Sequence, residues 1–355
     1  MSEHSERFIA YLRSLASRDR GAIAALRHSR SLALGEDSRV FAYVERFAGN
    51  AARADDPRRL ALYAVAGLFA QHPTQAPRSF ASAFGELATR RESVSIEKRF
   101  VALLEADEST VVRRLRQAVS LLAADEIGLD YARLLDDLSS WLEPHGGGQR
   151  QAWILQTWAR DYFLAADAGE TRQYDAVSFI AHLQQLAARR DRAALAALRQ
   201  SLAHAPGNHP AAYPHVEPFV APEWSIFDSR RKARYLVAGI VALNPAISDR
   251  PSLAAALGLV ARRRESDSIE GRFIALLDAD EDNIADHLRQ VVRLIQTETV
   301  AYNPTRLLKD MEIWLNPWAD PAWLDRVRQR WARDFYQAVQ ADNESDTPDT
   351  QTEGA

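Results

Sequence analysis

Apolar residues along this chain recur at steps of three and four, the spacing of an α-helix buried on one face. Ile96, Phe100, Leu103 and Leu104 form one such stripe, and Val112, Leu115, Val119 and Leu122 a second. Tyr131, Leu134, Leu135, Leu138, Trp141 and Leu142 form a third. Ser95 is placed to cap the first of these helices. Abundant Ala and Leu favour helix, and no alternating run with a hairpin turn interrupts the pattern. The breaks fall at "DDP" from Asp55, "QHPTQAP" from Gln71 and "PHGGG" from Pro144, all turn-forming compositions. The pattern predicts an all-α bundle with no sheet.

The same pattern is written twice. "SIEKRFVALLEADE", Ser95 to Glu108, returns as "SIEGRFIALLDADE", Ser268 to Glu281. "LRQAVSLL" from Leu115 matches "LRQVVRLI" from Leu288, Trp141 matches Trp314, and "WARDYF" from Trp158 matches "WARDFY" from Trp331, all 173 positions apart. Upstream, "DRGAIAALR" from Asp19 faces "DRAALAALR" from Asp191, and "YAVAG" from Tyr63 faces "YLVAG" from Tyr235, 172 apart; "FIAYL" at Phe8 faces "FIAHL" at Phe179, 171 apart. Single-residue slips in loop-like sequence are what a duplicated domain accumulates while packing holds its helices. The reading is therefore two tandem helical-bundle domains, 1–166 and 175–341. Between them lies a small polar linker at 167–174 within "AADAGETRQ" (Ala165 to Gln173), and after them an acidic tail at 342–355 with almost nothing to bury.

Composition narrows the classes of function. With 47% hydrophobic and 26% charged residues over 355 positions, each half is long enough for its own core. The absence of cysteine excludes disulfides, thiolate metal sites and a cysteine nucleophile. The charged N-terminal stretch lacks a signal peptide's apolar core, and no apolar run reaches the roughly 20 residues of a membrane span. A cytoplasmic protein is expected. A net charge of -4 argues against a uniformly basic surface, but the distribution of the 44 Lys and Arg decides more than their sum.

Catalytic chemistry finds little support. Of the adjacent acids Asp136 and Asp137, the second copy keeps only Asp310 and has Lys309 in the other place. A structural role as cap or ion pair is expected for Asp137 and Asp310. His204, His209 and His215 share a Pro-rich loop in one copy only and lack metal-ligand spacing. No Gly-rich phosphate loop, nucleophile elbow or HExxH motif occurs. Neither a cofactor, a metal nor a small-molecule ligand is expected, and the chain reads as no enzyme. Trp141, Trp158, Trp314 and Trp331 occupy apolar helix positions and are expected in the core; Trp153, Trp224, Trp318 and Trp323 are unshared and are candidate interface anchors.

The arginines recur in place. Arg27, Arg99 and Arg116 face Arg199, Arg272 and Arg289, while Arg58 and Arg59 of "DPRR" face Arg230 and Arg231 of "DSRRK". "ATRRES" likewise faces "ARRRES". Arg113 and Arg116 share a polar helix face, as Arg289 and Arg293 do in the second copy. Arginine's fixed fork of donors suits phosphate. Solvated faces and local ion pairs with Glu92, Glu97 and Glu105 are the other reading, and the residues alone leave both open.

The order of "ALR", "GLFAQHP", "SIEKRFVALL", "LRQAVSLL", "LLDDLSSW" and "WARDYF" resembles CasB, the small subunit of the type I-E CRISPR Cascade complex, over nearly all of each copy. The resemblance implies a small all-α protein without enzymatic activity, two copies of which lie head to tail beside the backbone subunits that hold the CRISPR RNA. It implies backbone and large Cascade subunits, CRISPR RNA and target DNA as partners, with no membrane. A basic surface would help hold the heteroduplex and the displaced DNA strand. On this chain that surface corresponds to Arg27, Arg58, Arg59, Arg99 and Arg116, and to Arg199, Arg230, Arg231, Arg272 and Arg289; Arg113 and Arg293 join the candidates from the polar helix faces they share with Arg116 and Arg289. The second Arg that often follows the first of these is His28 here and Gln200 in the second copy. The duplication departs from the family and points to a covalent pseudo-dimer filling both positions. The nine residues from Ala165 to Gln173 can span roughly 30 Å when extended. A helical scaffold whose arginines bind acidic protein partners is the alternative.

Overall fold

The computed structural model describes residues 2–30, 32–49, 53–143, 147–166 and 174–341. The expected loop at Pro144, the linker from 167 to 173 and the tail from 342 fall outside or largely outside these. Two compact units emerge, Met1–Thr171 and Arg172–Ala355, and among the described residues each contains nine α-helices in the same order. The first contains α1 (Glu3–Arg18), α2 (Arg20–Ser29), α3 (Phe41–Val44), α4 (Pro57–Gln71), α5 (Phe80–Arg91), α6 (Val94–Leu104), α7 (Val111–Ala124), α8 (Tyr131–Trp141) and α9 (Gly147–Ala166). The second contains α10 (Ala176–Ala188), α11 (Arg192–Ser201), α12 (Tyr213–Val216), α13 (Ser229–Leu243), α14 (Leu253–Arg264), α15 (Asp267–Asp278), α16 (Ile284–Thr297), α17 (Pro304–Trp314) and α18 (Pro321–Gln340). No strand occurs among the described residues. One isolated parallel bridge joins loops in each unit, Gln75 to Leu129 and Ile247 to Tyr302.

Local sequence accounts for the starts of most helices. Asp19 and Asp191 accept the Ala22 and Ala194 amides at 2.9 and 3.0 Å, and Asp56 and Asp228 accept the Arg58 and Arg230 amides at 2.9 Å. Each satisfies a donor that a helix N-terminus leaves unpaired. Ser95 does not act this way. Helix α6 starts at Val94, two residues before a Ser95 cap would start it, with Ser93 as an extended N-cap making no side-chain cap bond, and the Ser93 and Ser95 hydroxyls bond each other at 3.0 Å.

At the centre of each unit a helix is buried on all sides, Ala61 to Ala70 in α4 and, after Arg231, Ala233 to Ala242 in α13. Around it the repeat is reproduced in atomic detail. Phe100 stacks on Tyr162 with ring centres 4.0 Å apart, as Phe273 stacks on Phe335 at 4.1 Å. Trp141 meets Trp158, and Trp314 meets Trp331, both at 5.3 Å. All four tryptophans are buried. Helices α5 and α9 approach closely enough that a Cβ on Gly85 would lie 2.3 Å from the Tyr162 carbonyl oxygen; at Gly258 the same atom would lie 2.5 Å from that of Phe335.

Candidate nucleic-acid interface

The paired acids prove structural, with a different partner from a cap. Asp137 accepts the Trp158 indole N–H at 2.7 Å and Asp310 accepts that of Trp331 at 2.6 Å. Arg330 adds an ion pair to Asp310, where the first unit has Thr157 in the matching place. Burial pushes the Asp137 carboxyl up to about 6, against the Trp158 hydrogen bond and the Arg133 charge, both of which favour ionisation. The folded chain therefore holds this proton more tightly than the unfolded chain, and stability falls as pH rises from about 4 through 6. Asp137→Asn removes the titration. Its stability relative to the parent should decline by on the order of 2 kcal/mol between pH 7 and pH 4.5, read by urea unfolding at both pH values; a pH-independent difference would refute the assignment.

The arginines divide into three environments. Arg231 is completely buried: its Nε donates to Glu217 at 3.1 Å, and the Tyr235 hydroxyl donates to the same carboxylate. Arg59 repeats the arrangement with Glu45 and Tyr63, its Nε at 2.9 Å, though its site is partly open. The expectation that Arg231 reaches phosphate is thereby corrected, because the central helix α13 turns this residue inward, where the guanidinium neutralises a buried acid. Arg59 is committed to the equivalent pair. Arg58 and Arg230, one position earlier, are exposed, but Arg230 grips Asp228 through two bonds and lies over the Trp224 ring at 4.5 Å.

A second group has no ion-pair partner among the described residues. Arg27, exposed on α2, donates through Nε to the Ala70 carbonyl at 3.0 Å, close to the end of α4. Arg30, one turn on, donates to the Gln71 side chain, and Gln71 reaches across to Ser120 of α7. Arg30 lines one pit with Arg116 of α7. Burial, then the Arg27 charge, lowers the Arg30 pKa; burial, then Arg30, lowers that of Arg116. Asp37 borders the pit, but Arg39 already holds it with two bonds of 2.8 Å. Beside this pit on α7, Arg113 and Arg114 line a cleft together with Arg99 of α6, over a floor of Phe84, Ala102 and Leu121. Among the described residues no ion pair joins Arg27, Arg30, Arg99, Arg113 or Arg116 to a carboxylate.

Arg30 and Arg114 were not among the expected residues, although "RHSR" puts Arg30 three positions from Arg27, on the same helix face. The arginines of "ATRRES" and its repeat are instead partly consumed by other acids: Arg90 by Glu86, Arg91 by Asp125 and Arg264 by Glu298.

The third group belongs to the second unit. Arg199, Arg272 and Arg293 are exposed, with Arg199 bonded to the Leu195 carbonyl of its own helix at 3.0 Å. Arg289 donates to the Leu202 carbonyl at 3.0 Å and pairs with Asp286. Leu202 stands where the first unit has Arg30, and each packs on a matching glycine, Gly239 or Gly67.

Of the unshared tryptophans, Trp224 is buried, whereas Trp153, Trp318 and Trp323 are exposed. Trp318 and Trp323 line an open groove with Phe227. His204 and His209 stack with ring centres 5.1 Å apart. No group of three or more His, Cys, Asp or Glu able to hold a metal ion occurs among the described residues, and no helix among them is long and apolar enough to cross a membrane.

The family model for CRISPR-associated protein Cse2 matches this sequence twice, over residues 22–163 and 194–336. The CRISPR-associated protein Cse2 of Thermus thermophilus is 40% identical over 153 residues, which are 43% of this chain and 83% of that protein. Solved structures of CasB from Thermus thermophilus and from M. ruber are 41% and 31% identical. Each covers 46% of this chain, and the match covers 99% and 94% of theirs; both have a TM-score of 0.39.

Proposed function

Because this chain belongs to the CRISPR-associated Cse2 family, the small subunit of the Cascade complex of CRISPR interference, and contains the family's domain twice, we propose that one copy fills both small-subunit positions of Cascade. The twofold match, covering most of each unit, carries the proposal. Joining the two domains turns a second docking event into an intramolecular one and raises its effective concentration without any new contact.

In this reading the chain has no catalytic step. It binds the backbone and large subunits and lays arginines along the phosphates of the crRNA–target heteroduplex and the displaced DNA strand. Arg27, Arg99, Arg113 and Arg116 suit that role because no carboxylate among the described residues forms an ion pair with them, whereas solvated faces tied into ion pairs would serve the scaffold alternative. Phosphate contacts of this kind are independent of sequence and steep in salt.

Two measurements test the reading. Native mass spectrometry of the assembled complex should find one copy of this chain, and two copies would overturn the filling of both positions. R-loops formed by complexes with and without the chain should differ in lifetime at low salt and converge as salt rises. Identical lifetimes at every salt concentration would reject the nucleic-acid role.

A further inference from the structure

The duplication is close to exact in the core and breaks down on one helix face. The first two turns of α7 read "VVRRLRQ" from Val111, while those of α16 read "IADHLRQ" from Ile284. Three arginines, Arg113, Arg114 and Arg116, are thus answered by Asp286, His287 and Arg289. Val111 and Leu115 are answered by the equally buried Ile284 and Leu288, while buried Val112 becomes half-buried Ala285. Packing alone therefore does not explain the difference.

The change extends to the surroundings of the helix. Arg30 beside Arg116 becomes Leu202, whose carbonyl, not its side chain, meets Arg289. Arg289 is then neutralised by Asp286, the residue standing at the place of Arg113. The second unit keeps exposed Arg199 and Arg272 and adds exposed Arg293 where the first has Ser120, but its cluster is interrupted at the centre by a carboxylate. A like-charge cluster such as Arg27, Arg30 and Arg116, with Arg99, Arg113 and Arg114 beside it, is unfavourable in isolation because its members repel and are partly desolvated. A polyanion bound across it would relieve the repulsion.

We propose that the two halves are unequal phosphate binders: the first unit grips a nucleic-acid backbone across α7, through Arg99, Arg113 and Arg116 with Arg27 and Arg30, whereas the matching face of α16 does not. The proposal rests on the nucleic-acid role set out above and assigns that role to one half. A single strand or heteroduplex edge crossing the first unit meets successive guanidinium forks that stay charged at any physiological pH. A backbone crossing α16 meets Asp286 first.

The test exchanges the charges of the two faces in the full chain, assembled with its Cascade partners, CRISPR RNA and a DNA target. Arg113→Asp with Arg114→His gives the first unit the side chains of the second at these two positions, and Asp286→Arg with His287→Arg does the reverse. The first pair should shorten R-loop lifetime by roughly tenfold at moderate salt, the loss of about two phosphate contacts, and should flatten the salt dependence. The second pair should lengthen the lifetime and steepen that dependence. Arg114 also donates to the Ala102 carbonyl, so Arg113→Asp alone, at an exposed position, separates charge from folding and should shorten the lifetime by roughly threefold. If wild type outlasts the complex lacking the chain in a salt-dependent manner, but Arg113→Asp has no effect, the assignment to the first half is wrong and the general role stands. If wild type and the complex lacking the chain behave alike, both fall.

Discussion

Arg231→Ala should destabilise the second unit by about 3–5 kcal/mol, the cost of leaving a buried acid without its counter-charge. Glu217 is only 2% exposed, and it would keep a single partner, the Tyr235 hydroxyl. The cation–π contact of Arg231 over the Tyr235 ring, at 5.0 Å, would be lost as well. The matching change in the first unit should cost far less, about 1 kcal/mol, because the Glu45 side chain is 36% exposed and water can replace Arg59. Removing both charges together, Arg231→Met with Glu217→Gln, should recover most of the loss. Urea unfolding of the full chain reads all three. If Arg231→Ala unfolds like wild type yet shortens the R-loop lifetime, the residue belongs to the nucleic-acid surface after all.

Two glycines in neighbouring helices should respond to the same substitution with opposite signs. Gly258→Ala places a methyl 2.5 Å from the Phe335 carbonyl oxygen and 2.9 Å from the Ala338 Cβ. Most of what it meets is backbone, so α14 and α18 must separate along their length. Overpacking of this kind costs about 1–3 kcal/mol or more, which outweighs the roughly 1 kcal/mol by which alanine favours helix over glycine. Gly271→Ala in α15 meets nothing within 4 Å and should keep that gain of up to about 1 kcal/mol. Thermal unfolding of the two variants should bracket the parent. A stabilised Gly258→Ala would mean that the two helices separate more easily than their packing implies. Gly85→Ala tests the same contact between α5 and α9, where the carbonyl is closer still, at 2.3 Å.

Of the candidate site, the sequence disclosed the residue types and their repetition but not their surroundings. Arg230 and Arg231 are neighbours in "DSRRK", and adjacent helix positions point about 100° apart, so the two need not share an environment. Which acid would meet Arg231 depended on Glu217, fourteen residues upstream beyond a loop. The near-continuous apolar run of α13 was the available sign that its first turn would also be enclosed. Arg30 was missed for the converse reason: its partners Gln71 and Arg116 come from two other helices, and only packing brings the three together. Asp137 and Asp310, expected in "LLDDL" and "LLKDM" as caps or ion-pair partners, each face an indole N–H twenty-one positions later. Ser95 lost the capping role to a helix that begins a residue before it, a difference within the usual fraying of a helix end.

The sequence by itself determined that the chain is helical, that its unit is written twice, and which family the unit belongs to. Those properties rest on short-range periodicity and on matches between aligned positions, both of which are present before the chain folds. Only the tertiary structure decided which arginines are counter-ions and which are free. The charge state of a surface depends on what lies within a few ångströms of each guanidinium, and those neighbours come from helices far apart in sequence. The exchange of Arg30 and Arg113 for Leu202 and Asp286 is written in the sequence, but that Asp286 pairs with Arg289 while Arg116 lies in a pit with Arg30 is decided by the fold.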